Sequence, residues 1–85
     1  MNYKPSKAEA RILVVAKQNL VKDNYADMIG VKLNMNSSYV SGLIRRLELA
    51  GLITIFNSGK RRLINSVCEE AETEAKQILS EEKKE

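Results

Sequence analysis

Histidine is absent from this chain of 85 residues, and Cys68 is its only cysteine. A metal site built from histidines or from several cysteines is therefore excluded within one chain, as are an intrachain disulfide and any His-based catalytic dyad. We expect Cys68 to be a reduced, partly buried thiol. A disulfide between the Cys68 residues of two subunits is the alternative.

Long apolar runs are also missing. The longest block, Ile12 to Ala16, is far shorter than the roughly 18 residues that a membrane span needs. The N-terminus does not show the succession of charged, apolar and small residues found in a signal peptide. We therefore expect a cytoplasmic protein without a membrane partner, and the length is that of one small domain.

Charge is divided unevenly along the chain. Residues 1–67 hold eleven basic and four acidic residues, a net charge of +7, and residues 68–85 hold three basic and seven acidic residues, a net charge of −4. The overall charge of +3 conceals this division. The basic body is a candidate surface for a polyanion, and the acidic tail is a different surface.

The first helix has a clear start signal. Ser6 can cap it, and Glu9 three residues later can reach back to complete a capping box. Its apolar face predicts a helix that runs to about Gln18. Beyond it we expect a short extended piece at residues 20–21, and Asp23 is placed to cap a second helix.

The second helix is predicted over about residues 24–33. Gly30 falls inside it at a cost of about 1 kcal/mol relative to Ala, which close packing against a neighbouring helix would explain. Asn34 ends the helix, since Asn tolerates the left-handed backbone of a sharp turn.

The third helix can be capped by Asn36 or Ser37 and is stopped by Gly51. Its buried stripe has three- and four-residue spacing and consists of Val40, Leu43, Ile44 and Leu47. Two β-rich runs follow, 53–56 and 62–65, around the hairpin signal Asn57-Ser58-Gly59-Lys60. Ser66 and Glu69 then form a second capping box for a helix through about Leu79 or Ser80.

These residues resemble the winged helix-turn-helix superfamily, in the broad group of MarR-, ArsR- and PadR-like regulators. The resemblance covers about residues 6–67 and rests on the motif's apolar positions, its small residue, its turn residue and its exit into the wing: Ile29, Gly30, Leu33, Asn34, Met35, Val40, Leu43 and the run from Leu47 to Ile53. It implies a mainly α fold with a small β-hairpin (α+β), a three-helix core plus wing, and a C-terminal helix. Residues 1–67 would form the DNA-binding domain. The large ligand-binding domain of many such regulators has no counterpart here, so we predict no small-molecule ligand and no cofactor.

A recognition helix presents the face opposite its buried stripe to the major groove. In this chain that face holds Ser38, Ser41, Gly42, Arg45 and Leu49, and it is flanked by Ser37, Tyr39 and Arg46. Small residues allow the backbone to approach the DNA, and Arg45 can bind guanine O6 and N7 together. Tyr39 and Arg46 are better placed for phosphates. A polar helix face that is merely solvated is the alternative.

The wing supplies a second cluster of cations. Lys60, Arg61 and Arg62 follow a Ser-Gly turn, so they can enter a minor groove or lie on phosphates. Strand alternation should send Arg61 and Arg62 to opposite faces. The alternative is a hairpin that its charges merely keep soluble.

The last helix, within residues 68–85, carries an apolar stripe that is poor in bulk: Val67, Cys68, Ala71, Ala75, Ile78 and Leu79. It packs back on the first helix or pairs with its copy in a second subunit. We favour the homodimer, because operators usually pair two half-sites. The glutamates around it are most simply a solvated face.

No catalytic constellation is present, so we predict that the protein is not an enzyme. We expect a transcriptional regulator that binds double-stranded DNA sequence-specifically, with the helix at 36–50 in the major groove and the wing at 57–62 on the backbone or minor groove. A winged-helix module for protein–protein interaction in a larger assembly is the first alternative, and a structured-RNA binder is the second.

Overall fold

The computed structural model describes residues 3–59 and 61–83, without the side chains of residues 82 and 83. Within these ranges the chain forms, in order, helix α1 (Lys7–Gln18), a 3-10 turn (Val21–Asp23), helices α2 (Ala26–Leu33) and α3 (Ser37–Leu49), strands β1 (Ile53–Ser58) and β2 (Arg61–Val67), and helix α4 (Glu69–Lys83). Each helix of the described part is too short or too polar to cross a membrane.

Helix α1 begins with the predicted capping box. The Glu9 N–H donates to Ser6 Oγ at 3.2 Å, and the Ser6 N–H donates to Glu9 Oε1 at 3.0 Å. Two otherwise unsatisfied N–H groups of the first turn are thereby paired. The helix ends at Gln18, as its apolar periodicity indicated.

The turn between α2 and α3 explains why residue 30 is glycine. Asn34 adopts the predicted left-handed conformation (φ 56°), and the Met35 N–H donates to the Gly30 carbonyl at 2.8 Å. This folds the turn so closely over α2 that a Cβ on Gly30 would lie 2.7 Å from the Met35 carbonyl oxygen. The tightest contact is therefore with the backbone of the turn, and the neighbouring helix that was predicted is also close, since the Cα of Ser37, the first residue of α3, lies 3.7 Å from the same position.

Helix α3 begins at its cap Asn36, whose Oδ1 accepts the Ser38 N–H at 2.8 Å. The predicted stripe of Val40, Leu43, Ile44 and Leu47 is buried. Gly51 (φ 80°) ends the helix, and the Leu52 N–H donates back to the Leu47 carbonyl, the pattern of a Schellman turn.

The chain then enters the antiparallel hairpin of β1 and β2. Its register pairs Ile53 with Val67 and Ser58 with Arg61, with an irregularity between Thr54 and Ile55. Both strands extend beyond the β-rich runs from which they were predicted. Ser58 and Arg61 form the last pair of the register, and Gly59, which follows Ser58, has a positive φ of 63°.

Asn24 overturns the predicted start of α2. Its side chain is 2% exposed, and its Nδ2 donates to the carbonyls of Ala16 (2.9 Å) and Ile64 (3.2 Å). An Asn held this way cannot open a helix, so α2 begins at Ala26, and its N-cap residue Tyr25 makes no side-chain capping bond. Of the predicted extended piece only Leu20 is extended (φ −65°, ψ 145°), since Val21–Asp23 is a 3-10 turn, and the predicted Asp23 cap was wrong because Tyr25 is the N-cap residue of α2.

Two predictions about α4 also need correction. Ser66 lies in β2, where its hydroxyl hydrogen-bonds Thr54 Oγ1 at 2.6 Å, so it cannot cap the helix. Instead Cys68 precedes the helix and its Sγ accepts the Ala71 N–H at 3.3 Å. Because this position lies outside the core, the thiol is exposed and not partly buried.

The apolar stripe of α4 packs on α1 within the same chain. Ala71, Ala75 and Ile78 are buried in the single core that also contains Ile12 and Leu13 of α1. Small side chains on α4 allow the two helices to approach closely. The predicted α+β class is therefore confirmed: three helices, a two-stranded wing and a C-terminal helix form the layout of a winged helix.

We expect Asn24→Ala to lower the free energy of unfolding by about 1–3 kcal/mol, because it leaves two carbonyls in the interior without their donor. Urea denaturation followed by circular dichroism measures this loss. The control is Asn65→Ala in β2, whose side chain is exposed and should change stability by less than about 0.5 kcal/mol. Equal effects of the two substitutions would contradict the bridging role of Asn24.

Candidate nucleic-acid interface

A groove of about 570 Å³ lies between the start of α2, the first half of α3 and the beginning of β2. It brings together five of the residues that were predicted to contact DNA, together with three that were not: Ser37, Ser38, Ser41, Arg61 and Arg62, and Tyr25, Ala26 and Asp27. The fold thus places the wing's arginines beside the hydroxyl-rich N-terminal part of α3, although 20 residues separate Ser41 from Arg61 in the sequence.

The face of α3 opposite its buried stripe is open to solvent. Ser38, Gly42 and Arg45 are all exposed there, as helical periodicity predicted. Arg45 has no hydrogen-bonding or ion-pair partner in the described part of the chain, so its five donors are available to a ligand. An unpaired guanidinium on an exposed helix can bind a guanine edge or a phosphate.

Gly42 stands in the interior of α3 without an intramolecular reason. No atom within residues 3–59 and 61–83 lies within 4 Å of the position where its Cβ would be, and its φ is not positive. Glycine there destabilises the helix by about 1 kcal/mol relative to Ala. This contrasts with Gly30, where the backbone of the turn leaves no room for a side chain.

Tyr39 and Arg46 lie on the flank of α3 away from the groove. Arg46 is close to the Tyr3 hydroxyl, which donates to Glu9 Oε2 at 2.6 Å. The hydrogen bond to Glu9, burial and the Glu9 charge raise the pKa of Tyr3, and nearby Arg46 acts in the opposite direction. Arg46 is thus tied to the segment that precedes α1, a contact for which the sequence held no signal.

Both wing arginines already have anionic partners. Arg61 Nη2 lies 2.7 Å and 2.9 Å from the two carboxylate oxygens of Asp27, and its guanidinium stacks 3.7 Å from the centroid of the Tyr25 ring. Arg62 forms an ion pair with Glu48 of α3. Asp27, Tyr25 and Glu48 were not among the predicted site residues.

Arg61 and Arg62 reach different helices, α2 and α3, as expected for neighbours in a strand, yet both line the same groove. The third wing cation, Lys60, lies outside the described residues.

In the described part of the chain, no group of three or more Cys, Asp or Glu side chains is arranged to hold a metal ion. The groove is therefore lined by hydroxyl groups, guanidinium groups and the Asp27 carboxylate, and Glu48 binds Arg62 from outside this lining.

The fold is that of a winged helix, and the outward face of its third helix, α3, is exposed. No protein-family model and no curated protein matches the chain. Among solved structures, the chain is similar to AF1382 from Archaeoglobus fulgidus, with a TM-score of 0.68 and 24% sequence identity over 93% of this chain and 88% of that chain.

The chain is also similar to the oxidized form of OxyR from Corynebacterium glutamicum, with a TM-score of 0.64 and 20% identity. This match covers 99% of the chain but only 26% of OxyR, so the chain corresponds to about a quarter of that protein. At these identities the two likenesses are evidence of the fold alone. Membership of the MarR-, ArsR- or PadR-like groups stays a prediction.

The two helical glycines give a matched pair of substitutions. Gly30→Ala should lower the free energy of unfolding by about 1–3 kcal/mol, because its Cβ would clash with the turn backbone. Gly42→Ala should raise it by about 1 kcal/mol through better helix propensity. Urea unfolding of both variants checks the signs, and a loss of stability in Gly42→Ala would show that this glycine serves the fold.

Proposed function

We propose that the protein is a transcriptional regulator that binds double-stranded DNA sequence-specifically. Helix α3, within residues 36–50, enters the major groove, and the wing at 57–62 lies on the backbone or in the minor groove. The observation that carries this proposal is the outward face of α3, where Gly42 lies next to Arg45, whose guanidinium has no partner within residues 3–59 and 61–83. That face joins the groove lined by the wing arginines.

Gly42 supports close approach of a second molecule. It weakens α3 and relieves no contact inside the described part of the chain, so the missing side chain is explained by a ligand that comes near the helix backbone. The neighbouring Ser38 and Ser41 are also small and can donate hydrogen bonds to phosphates or bases. A helix with small residues on its exposed face fits into a major groove about 12 Å wide.

The cations are arranged to hold the two strands of the duplex. Arg45 is central on the outward face, where its fork can bind guanine O6 and N7. Arg61 and Arg62 line the groove with Ser38 and Ser41 of the same helix, and there phosphate contact would position the helix without reading sequence. On the opposite flank, Tyr39 and Arg46 are candidates for the phosphates of the other side of the groove.

A homodimer is part of this proposal, because two-fold symmetric operators pair two half-sites. The homodimer is supported by the two-fold symmetry of such operators. The apolar stripe of α4 does not support it, since Ala71, Ala75 and Ile78 are already buried against the chain's own core. A dimer through α4 would use the rest of its surface, where Cys68 is exposed.

The alternative function is that of a protein–protein interaction module. Leu49, which is 78% exposed, lies on the same outward face of α3, and Tyr39, 55% exposed, lies on its flank. A protein partner would cover both side chains, whereas major-groove binding by the first half of α3 leaves Leu49 at the edge. We prefer the DNA-binding regulator to this alternative, and we propose that it acts in the cytoplasm and has no catalytic activity.

We expect fluorescence anisotropy with random-sequence duplex DNA to show binding at micromolar concentration or tighter that weakens steeply with salt, because phosphate contacts release counterions. After selection of a preferred site from a random pool, Arg45→Ala should lose about 1–3 kcal/mol on that site and little on random DNA. Arg61→Ala should weaken both DNAs alike and reduce the salt slope by about one.

The control for these titrations is Lys76→Ala on α4, which changes the net charge by the same amount on a helix outside the groove. Failure of the wild-type protein to bind duplex DNA at low salt would refute the proposal and favour the protein-interaction module. Stronger binding to structured RNA than to the duplex would instead favour an RNA-binding function.

For the homodimer, sedimentation equilibrium should give twice the mass of one chain, and the protein should bind a two-half-site operator as two chains per duplex. Cys68→Ser distinguishes a non-covalent dimer from a disulfide-linked one, because only the latter would be lost with the thiol. A monomer that binds DNA with a one-to-one stoichiometry would contradict this part of the proposal.

A further inference from the structure

The wing arginines are held by the protein's own carboxylates across the groove. Asp27, in the first turn of α2, presents both oxygens to Arg61 Nη2, and the Tyr25 ring stacks against the same guanidinium. Glu48 of α3 binds Arg62 in a second ion pair. The two wing arginines that the proposed function assigns to phosphate are therefore both paired in the free protein.

These two ion pairs are open to water. The side chains are 53% and 62% exposed for Arg61 and Asp27, and 48% and 33% exposed for Arg62 and Glu48. Ion pairs with this much exposure contribute little and are screened by salt. A ligand with a stronger anionic field can therefore displace the carboxylates without unfolding the wing.

Phosphate and carboxylate offer the same geometry to a guanidinium. Each presents two oxygens to the planar donor fork, and both form charge-assisted bonds with it. A duplex differs from the carboxylates in its density of charge, about one negative charge per 1.7 Å of helix axis. The hydroxyls of Ser37 and Ser41 line the same groove and can donate to the remaining phosphate oxygens.

We propose that this groove is a phosphate-binding site in which Asp27 and Glu48 compete with DNA phosphate for Arg61 and Arg62. The inference rests on the proposed function and adds the role of the two carboxylates. They lower the contribution of the wing to binding of any duplex, because each phosphate contact must first break an ion pair. Recognition by α3, and by Arg45 in particular, then accounts for a larger share of the affinity, whereas the ratio of affinities for preferred and random DNA stays the same because both duplexes lose the same wing contribution.

The test is Asp27→Asn, titrated against random-sequence duplex DNA by fluorescence anisotropy. Asn keeps the shape of the side chain and an oxygen that can accept the Met28 N–H, but it removes the charge that holds Arg61. We expect the variant to bind about threefold to fivefold tighter than wild type, the range that an exposed ion pair can supply. The control Glu70→Gln makes the same change of net charge on α4, and should shift affinity by much less.

A double-mutant cycle connects the effect to the ion pair. In an Arg61→Ala background, Asp27→Asn should change the affinity only as much as Glu70→Gln does, because no masked guanidinium remains. Glu48→Gln with Arg62→Ala gives an independent second cycle. Denaturation curves of the variants establish that each is folded at the temperature of the titration.

The outcomes separate this inference from the function on which it rests. Weaker binding by Asp27→Asn would mean that the carboxylate positions Arg61 for DNA, and an effect equal to that of Glu70→Gln would mean that no competition exists. Either result overturns the inference while wild-type binding leaves the proposed function intact. Absence of duplex binding by the wild type would overturn both.

Discussion

The buried amide of Asn24 is the contact on which the position of the wing depends. Its Nδ2 joins the last turns of α1, through the Ala16 carbonyl, to β2, through the Ile64 carbonyl, and its own backbone carbonyl accepts the Ile64 N–H at 3.1 Å. The next residue, Tyr25, forms an isolated antiparallel bridge with Leu63 and carries Arg61 on its ring. One polar side chain thus fixes the hairpin against α1 and sets where the wing arginine stands relative to α3. The two N–H groups of this amide are satisfied, which offsets the cost of burying them, whereas its Oδ1 accepts no hydrogen bond from the described residues.

Local signals predicted most of the fold because they act within one or two turns of a helix. The Ser6–Glu9 capping box, the left-handed Asn34, the stripe from Val40 to Leu47 and the stop at Gly51 all depend on neighbours three or four residues away. The errors arose where a distant partner decided the outcome. Ser66 satisfies the spacing of a capping box, but its hydroxyl bonds to Thr54 across the hairpin, 12 residues away. Asn24 was predicted to be helical, because local spacing does not reveal that its side chain bonds to the Ile64 carbonyl, 40 residues away.

The same division applies to the candidate site. Helical periodicity placed Ser38, Gly42 and Arg45 on the exposed face, because a face follows from spacing alone. The partners of the wing arginines could not be predicted, since Asp27 and Arg61 are 34 residues apart and meet only after the hairpin docks on α2. Composition showed a basic body, but it did not show that two of its cations face carboxylates of the same body. Net charge therefore determines long-range attraction to a polyanion. The local ion pairs determine how many of the cations are free to bind a phosphate.

The two helical glycines show how a fold's requirements can be separated from those of a ligand. Both weaken their helices by a similar amount, about 1 kcal/mol relative to Ala. At Gly30 the close packing of the turn to α3 offsets that loss, because the turn occupies the space that a side chain would fill. At Gly42 nothing in the described part of the chain recovers it. The proposed function supplies a reason for this glycine, because DNA that approaches the outward face of α3 beside Arg45 would need the space that a side chain would fill.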